Sequence, residues 1–161
     1  MSSLPSCPRR AAHIVAAGKS HQPTGLILVV ETYEPLRQML RRMLESRQHR
    51  VLLAAGGGEA LELWHARAAD LLMLDLHLPD VDGLESFVQF RAAAPELPII
   101  VMSGGDQDGG FETLGEALLL GATAALAKPF HLRETLDLVA RVLGPARVRD
   151  TVDKRRGEDR T

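Results

Sequence analysis

An apolar run that ends in an aspartate, residues 71–75, constrains the fold of this chain more than any other feature. The run consists of three leucines and a methionine with no polar alternation, which is typical of a strand buried on both faces of a parallel sheet. Pro79 and the pair Asp82-Gly83 follow it and favour a loop that leads into a helix. We therefore expect Asp75 at the carboxyl end of a strand buried on both faces, where open α/β sheets have their ligand sites. A turn or helix-capping role is the alternative for a single aspartate at such a position.

Strand-like and helical patterns alternate along the chain on either side of this run. Strands are predicted at residues 26–30, 51–55, 70–75, 98–103 and 124–127, and helices at residues 35–47, 59–68, 83–94, 111–120 and 132–143. The third helix is expected to bury its apolar residues, which are Leu84, Phe87, Val88 and Phe90. Regular alternation with short connections predicts an α/β fold, a doubly wound five-stranded parallel sheet with helices on both faces.

The folded domain is expected at residues 25–144, between a flexible N-terminal arm at 1–24 and a charged C-terminal tail at 145–161. Residues 25–144 contain 17 of the 21 acidic residues but only 10 of the 19 basic ones. Such an acidic domain argues against nucleic-acid binding and is compatible with carboxylates that bind a cation. Cys7 is the single cysteine, and no apolar stretch reaches the roughly 18 residues that a membrane span needs. We therefore expect a cytoplasmic protein with neither a nucleic-acid nor a membrane partner.

Polar side chains follow four of the predicted strands. Glu31 and Thr32 come after the first strand, Asp75 ends the third, Ser103 ends the fourth and Lys128 follows the fifth. Parallel strands all end at one edge of their sheet, so these side chains are expected to converge there. Two neighbouring carboxylates attract a divalent cation such as Mg²⁺, which takes oxygen ligands and retains several waters. A lysine and a hydroxyl beside the metal are suited to phosphoryl oxygens, which makes Asp75 a candidate nucleophile for phosphoryl transfer.

From about residue 26 to residue 143, the chain resembles the receiver domain of two-component response regulators. The segments that carry the resemblance are residues 75–83, residues 98–103, the pair Gly121-Ala122 and the triplet Lys128-Pro129-Phe130. Each segment is weakly specific alone, but their combination in this order is specific. The resemblance implies a flavodoxin-like receiver fold in which Asp75 accepts a phosphoryl group from a histidine kinase or a phosphotransfer protein. It also implies a cis bond between Lys128 and Pro129, a geometry that is rare without proline.

The resemblance implies further roles around the phosphoacceptor. Ser103 would donate a hydrogen bond to a phosphoryl oxygen, and Lys128 would pair with the phosphoryl group. Glu31, Asp75 and the backbone carbonyl of His77 would hold the Mg²⁺ ion. The side chain of His77 is not expected to ligate a metal, because nothing near it forms a cluster of His, Cys and Asp. The other histidines are scattered along the chain and are expected to face solvent; they are His13, His21, His49, His65 and His131.

Two positions depart from the usual pattern of the family. The family usually has two adjacent acidic residues after the first strand, whereas this chain has Glu31-Thr32. Threonine is a neutral and weaker ligand, so Mg²⁺ is expected to bind weakly, with Thr32 contributing little. The family also usually has a tyrosine or phenylalanine three residues before the lysine, where this chain has Ala125. A signal must therefore pass through backbone and loop shifts or through another side chain.

The leading hypothesis is a stand-alone receiver that signals through binding of a partner protein, with the last helix–strand–helix as its docking or homodimer face. Enzymatic activity would be limited to Mg²⁺-dependent self-phosphorylation and dephosphorylation of Asp75. The alternative is a pseudo-receiver, an interaction module that acts without phosphorylation, and Thr32 and Ala125 motivate it. A phosphatase resembling the haloacid dehalogenase family is disfavoured, because the second aspartate of that family is replaced here by His77.

Overall fold

The computed structural model describes residues 24–80, 82–104 and 109–144. The strands are β1 Leu26–Val30, β2 Arg50–Ala54, β3 Leu71–Asp75, β4 Ile99–Gly104 and β5 Ala124–Lys128. The helices are α1 Glu34–Glu45, α2 Gly57–Ala66, α3 Gly83–Ala93, α4 Gly110–Leu119 and α5 Leu132–Leu143. The arm predicted at residues 1–24 and the tail predicted at residues 145–161 lie outside the described residues, apart from Thr24, and remain predictions.

All five strands are parallel, and they pair in the order β2-β1-β3-β4-β5. This is the strand order of flavodoxin-like folds, in which the chain changes direction across the sheet between β1 and β3. The predicted α/β fold, a doubly wound five-stranded parallel sheet, is confirmed. The central strand is β3, the strand that ends in Asp75.

Two apolar clusters, one on each face of the sheet, hold the central strands. Ile27 and Val29 belong to the cluster that includes α1 and α5, whereas Leu28 and Val30 belong to the one that includes α2, α3 and α4. This alternation follows from the two-residue period of a strand. Strand β3 is buried along its whole length, as its uninterrupted apolar sequence predicts. Because both faces are packed, the strand ends hold the side chains at the carboxyl edge in fixed positions.

The ends of the five described helices lie within two residues of those predicted, and α2 and α3 differ from the prediction in detail. Helix α2 begins at Gly57 rather than at residue 59, where the Gly57 N–H donates a hydrogen bond of 3.4 Å to Asp80 Oδ1 from the loop after β3. Helix α3 buries residues 83, 86, 87 and 90, and Val88 lies outside this stripe with 50% of its surface exposed, so its predicted burial is wrong. Within the described ranges, none of the helices combines the length and apolar character that crossing a bilayer requires.

His49 is buried, and the prediction that it faces solvent is wrong. Its Nδ1 accepts a hydrogen bond of 3.2 Å from the backbone N–H of Gly25, just before β1, and only 7% of its surface is exposed. The next residue, Arg50, begins β2 beside β1, which brings His49 against the start of β1. His65 and His131 are exposed as predicted. The two histidines at positions 13 and 21 lie outside the described residues.

Candidate functional site

The carboxyl edge of the sheet brings together the residues that the sequence singles out. Asp75 is the last residue of β3 and Lys128 is the last residue of β5. Glu31 directly follows β1, and Ser103 is the last residue but one of β4. Glu31, Asp75 and Ser103 are all buried. The arrangement is therefore a compact polar site beyond the carboxyl ends of β1 and β3, where the strand order reverses, which is the usual ligand position in this fold class.

Lys128 connects the two carboxylates. Its Nζ donates hydrogen bonds to Glu31 Oε2 at 2.7 Å and to Asp75 Oδ2 at 2.9 Å. Glu31 is 1% exposed and Asp75 is 3% exposed, so the ammonium compensates two charges that water reaches poorly. Burial alone would lower the pKa of Lys128, but the hydrogen bonds to Glu31 and Asp75 and the negative charges of these groups raise it overall. Lys128 therefore remains a cation at the site.

The two carboxylates are held by the same local arrangement. Glu31 Oε1 accepts a hydrogen bond of 2.9 Å from the backbone N–H of Tyr33, and Asp75 Oδ1 accepts one of 3.0 Å from the backbone N–H of His77. In each case the donor lies two residues after the acid, where the strand has just given way to a turn. The other oxygen of each acid binds Lys128. Every carboxylate oxygen of the pair thus has a donor.

Arg37 fixes the connection between β1 and α1. Its Nη1 donates hydrogen bonds to the backbone carbonyls of Glu31 at 2.7 Å and Thr32 at 3.1 Å. Sequence reasoning assigned Arg37 no role. The position of Arg37 in the sequence could have indicated this role, because side chains in the first turns of a helix lean towards its N-terminus and can reach the loop before it.

The hydroxyl of Thr32 is engaged elsewhere. It donates a hydrogen bond of 3.2 Å to the carbonyl of Ala55, in the connection after β2. The site therefore has two carboxylates, Glu31 and Asp75, and the part of the chain that the structure describes has no cluster of three or more His, Cys, Asp or Glu residues able to hold a metal. The weak contribution of Thr32 as a ligand stays a prediction.

Ser103 contacts the side chain of His77, to which sequence reasoning assigned no role. Its Oγ lies 3.3 Å from Nδ1 of His77, and the tautomer of the ring decides which atom donates. The same hydroxyl donates to the carbonyl of Gly104 at 3.3 Å. Ser103 is fully buried, whereas His77 is exposed. No pattern in the sequence indicates that His77 turns towards Ser103.

Helix α4 approaches the site closely at its N-terminus. A Cβ atom added to Gly110 would collide with the carbonyl oxygen of Gly104 and would lie 2.9 Å from Ser103 Oγ. The absence of a side chain at Gly110 therefore allows α4 to begin directly against the end of β4. Ser103 and Gly104 thus lie close to the N-terminus of α4.

The family of the chain follows from comparison with known proteins. The model of the response regulator receiver domain matches residues 27–140. The chain belongs to this family. Receiver domains are signalling modules of two-component systems and are generally not enzymes in their own right, and response regulators interact with kinases and with downstream targets.

Curated relatives of this receiver domain are longer proteins. The response regulator MprA of Mycobacterium ulcerans is 37% identical over 124 residues, which cover 77% of this chain and 52% of that protein. MprA of Mycolicibacterium vanbaalenii is 39% identical over 110 residues, which cover 68% of this chain and 46% of that protein. The chain thus spans about half the length of the curated relatives it matches.

Solved structures of receiver domains share this fold. The receiver domain of NtrX from Brucella abortus has a TM-score of 0.68 and 30% sequence identity, with 73% of this chain and 97% of that chain covered. The receiver domain of the Francisella response regulator 1452 has a TM-score of 0.67 and 25% identity, with 74% and 97% covered. The flavodoxin-like receiver fold that the sequence predicts is confirmed.

Receiver domains typically bind Mg²⁺ for phosphorylation, and the residues of this site fit such an ion by type. The carboxylates of Glu31 and Asp75 and the carbonyl of His77 are oxygen donors, which Mg²⁺ prefers. One ammonium, Lys128, faces the two buried carboxylates, so the negative charge of the pair is only partly compensated. This donor set suits an ion that keeps most of its water ligands.

Strand β5 carries the second departure from the family pattern. Ala125 pairs with Val101 of β4 and is half-buried against the cluster that includes α4. The methyl group of alanine has no rotamer that moves between a buried and an exposed position. The bond between Lys128 and Pro129 is cis, as the resemblance implies.

Proposed function

We propose that Asp75 accepts a phosphoryl group from a histidine kinase or a phosphotransfer protein, and that the phosphorylated domain signals by binding a partner protein. In the transfer, the P–N bond of the donor phosphohistidine breaks and a P–O bond forms to a carboxylate oxygen of Asp75. The electron pair of the broken bond stays on the donor nitrogen. The hydrogen bond of 2.9 Å from Lys128 Nζ to Asp75 Oδ2 carries this proposal, because it holds a cation beside the acceptor before the phosphoryl group arrives.

The neighbouring residues have distinct roles in this proposal. Lys128 and Ser103 bind the oxygens of the transferred group, Lys128 through its charge and Ser103 through its hydroxyl. Glu31, Asp75 and the carbonyl of His77 hold Mg²⁺, which when bound neutralises charge on the transferring group. We expect weak Mg²⁺ binding, because the receiver position that usually supplies a further carboxylate is occupied by a threonine.

We assign partner binding to the face formed by α4, β5 and α5. Large apolar side chains are exposed on this part of the described surface; they are Phe111, Leu118, Leu119, Leu120 and Leu132. The partner is a downstream protein target, and a homodimer through the same face is the competing outcome. The acidic composition of residues 25–144 does not favour nucleic acid as the ligand of this domain. A cytoplasmic location, usual for response regulators, is part of the proposal.

A pseudo-receiver that acts without phosphorylation is the second candidate. The hydrogen bond from the Thr32 hydroxyl to Ala55 supports it, because this side chain is directed to the β2–α2 connection. Ala125 supports it as well, since it lacks the ring through which receivers usually relay phosphorylation. This candidate requires that Asp75→Asn leave partner binding unchanged.

Phosphorylation of the purified chain by acetyl phosphate, with and without Mg²⁺, tests the proposal. Mass spectrometry should detect one added phosphoryl group on the wild type and on Asp137→Asn, a control at an exposed acid of α5. Asp75→Asn should remain unmodified. A wild type that stays unmodified under conditions that phosphorylate an ordinary receiver would overturn the proposal and favour the pseudo-receiver.

A further inference from the structure

We infer that the side chain of His77 is a positioning group for Ser103, which holds the hydroxyl in the unphosphorylated state and releases it when Asp75 is phosphorylated. This inference rests on the proposed function. Its starting observation is the contact of 3.3 Å between His77 Nδ1 and Ser103 Oγ. An exposed residue thus reaches a fully buried hydroxyl.

His77 is tied to both groups that take part in the transfer. Its backbone N–H donates to Asp75 Oδ1 at 3.0 Å, and its ring contacts Ser103. The backbone bond fixes the position of the residue relative to the phosphoacceptor, while the side chain determines where the hydroxyl points. A single residue therefore links the phosphoacceptor on β3 to the hydroxyl on β4.

The hydroxyl of Ser103 has one proton to donate. In the unphosphorylated site it lies between two partners, His77 Nδ1 and the carbonyl of Gly104, each at 3.3 Å. These are long and hence weak hydrogen bonds. A phosphoryl oxygen is charged and is a stronger acceptor than either partner. In the tautomer with an unprotonated Nδ1, this nitrogen competes for the hydroxyl proton. The contact is then given up when Ser103 turns to the phosphoryl group, so it opposes phosphorylation without preventing it.

Substitutions at His77 separate this role from simple packing. His77→Phe keeps a ring but removes the nitrogen, and it should raise the maximal rate of phosphorylation by acetyl phosphate about twofold, the effect of losing one weak hydrogen bond. The half-saturating concentration of acetyl phosphate should not change. His77→Asn places an amide where Nδ1 lies and should restore the wild-type rate. His65→Phe, at an exposed histidine of α2, is the matched control and should behave as wild type.

The Ser103→Ala background provides the decisive comparison. In it, His77→Phe should no longer change the phosphorylation rate, because the hydroxyl on which the ring acts is gone. In ¹⁵N NMR spectra, Ser103→Ala should also shift the ring nitrogens of His77. An unchanged rate for His77→Phe, an equal increase in the Ser103→Ala background, or an unshifted ring would each overturn the inference. If Asp75 is not phosphorylated in any variant, both the proposed function and this inference are wrong. If all variants are phosphorylated at the same rate, only the role of His77 is wrong.

Discussion

Lys128 at the end of β5 donates a hydrogen bond of 2.9 Å to Asp75 at the end of β3, although β4 lies between the two strands. The length of the lysine stem allows this reach across a neighbouring strand. The same ammonium binds Glu31, so one cation is shared by two buried acids. The electrostatics of the site are therefore set by three groups from three strand ends, and a change in any one of them alters the other two.

Removal of the ammonium should destabilise the domain. Lys128→Met keeps most of the stem but leaves the carboxylates of Glu31 and Asp75 buried without a cation, and we expect a loss of about 3 kcal/mol in the free energy of unfolding. Urea denaturation followed by the fluorescence of Trp64, the only tryptophan, measures this loss. Arg133→Met, at an exposed position of α5, is the control and should change stability by less than about 0.5 kcal/mol. Equal stability of the two variants would show that the ion pairs contribute nothing.

The contribution of Lys128 to the free energy of unfolding should also depend on pH in the alkaline range. Its pKa is raised above the ordinary value of 10.5, because the hydrogen bonds and charges of Glu31 and Asp75 outweigh burial, which acts in the opposite direction. The unfolded chain loses the proton first as the pH rises, so this contribution is present below pH 10.5 and is lost as the pH rises through the folded-state value. The free energies of unfolding of the wild type and of Lys128→Met, measured by urea denaturation, should therefore converge at high pH. A difference that stays constant with pH would contradict the prediction.

An acidic residue at position 32 should strengthen Mg²⁺ binding. Thr32→Asp adds a third carboxylate near Glu31 and Asp75, and we expect the dissociation constant for Mg²⁺ to fall by about tenfold, which is about 1.4 kcal/mol. Isothermal titration calorimetry measures the constant directly. Thr32→Asn has a similar shape without the charge and should bind Mg²⁺ as weakly as the wild type. Indistinguishable affinities for the Asp and Asn variants would show that position 32 is not a ligand position.

Burial of His49 predicts a loss of stability in mild acid. Desolvation lowers the pKa of His49 below its ordinary value of 6.5, and a protonated ring could not accept the hydrogen bond from Gly25 N–H at Nδ1. The unfolded chain binds the proton more readily, so this contribution is present above pH 6.5 and is lost as the pH falls below it.

Unfolding of two variants at several pH values isolates this effect. His49→Gln can still accept a hydrogen bond but cannot be protonated, so its free energy of unfolding should fall less between neutral and mildly acidic pH. His65→Gln removes an exposed histidine and should keep the pH dependence of the wild type. If both variants show the same dependence, His49 is not the group responsible.

Two glycines of α4 should respond in opposite ways to alanine. Gly110→Ala places a methyl group against the carbonyl of Gly104, and such overpacking should destabilise the domain by about 1–3 kcal/mol. A methyl group at Gly115 would meet no atom of the described structure within 4 Å, so Gly115→Ala should stabilise the helix by about 0.5–1 kcal/mol. Thermal unfolding of both variants tests the pair. A stabilising Gly110→Ala would mean that α4 does not begin against β4.

Much of the architecture was accessible from local patterns. The uninterrupted apolar residues of β3 indicated a strand buried on both faces. The regular alternation of strand-like and helical patterns indicated a parallel sheet. The convergence of Glu31, Asp75, Ser103 and Lys128 followed from that topology, because every parallel strand ends at the same edge. The errors at Val88 and His49 have a different origin. The burial of Val88 depends on which face of α3 packs against the sheet. The burial of His49 depends on a hydrogen bond to a residue 24 positions away.

By itself, the sequence determined the order of strands and helices, the burial of β3 on both faces and the residue types at the carboxyl edge of the sheet. Only the tertiary structure decided how those residues pair: Lys128 with both acids, Thr32 with Ala55, and the ring of His77 with Ser103. Pairings of this kind join residues from 23 to 97 positions apart. The partners available to a side chain exist only once the sheet and its helices have packed.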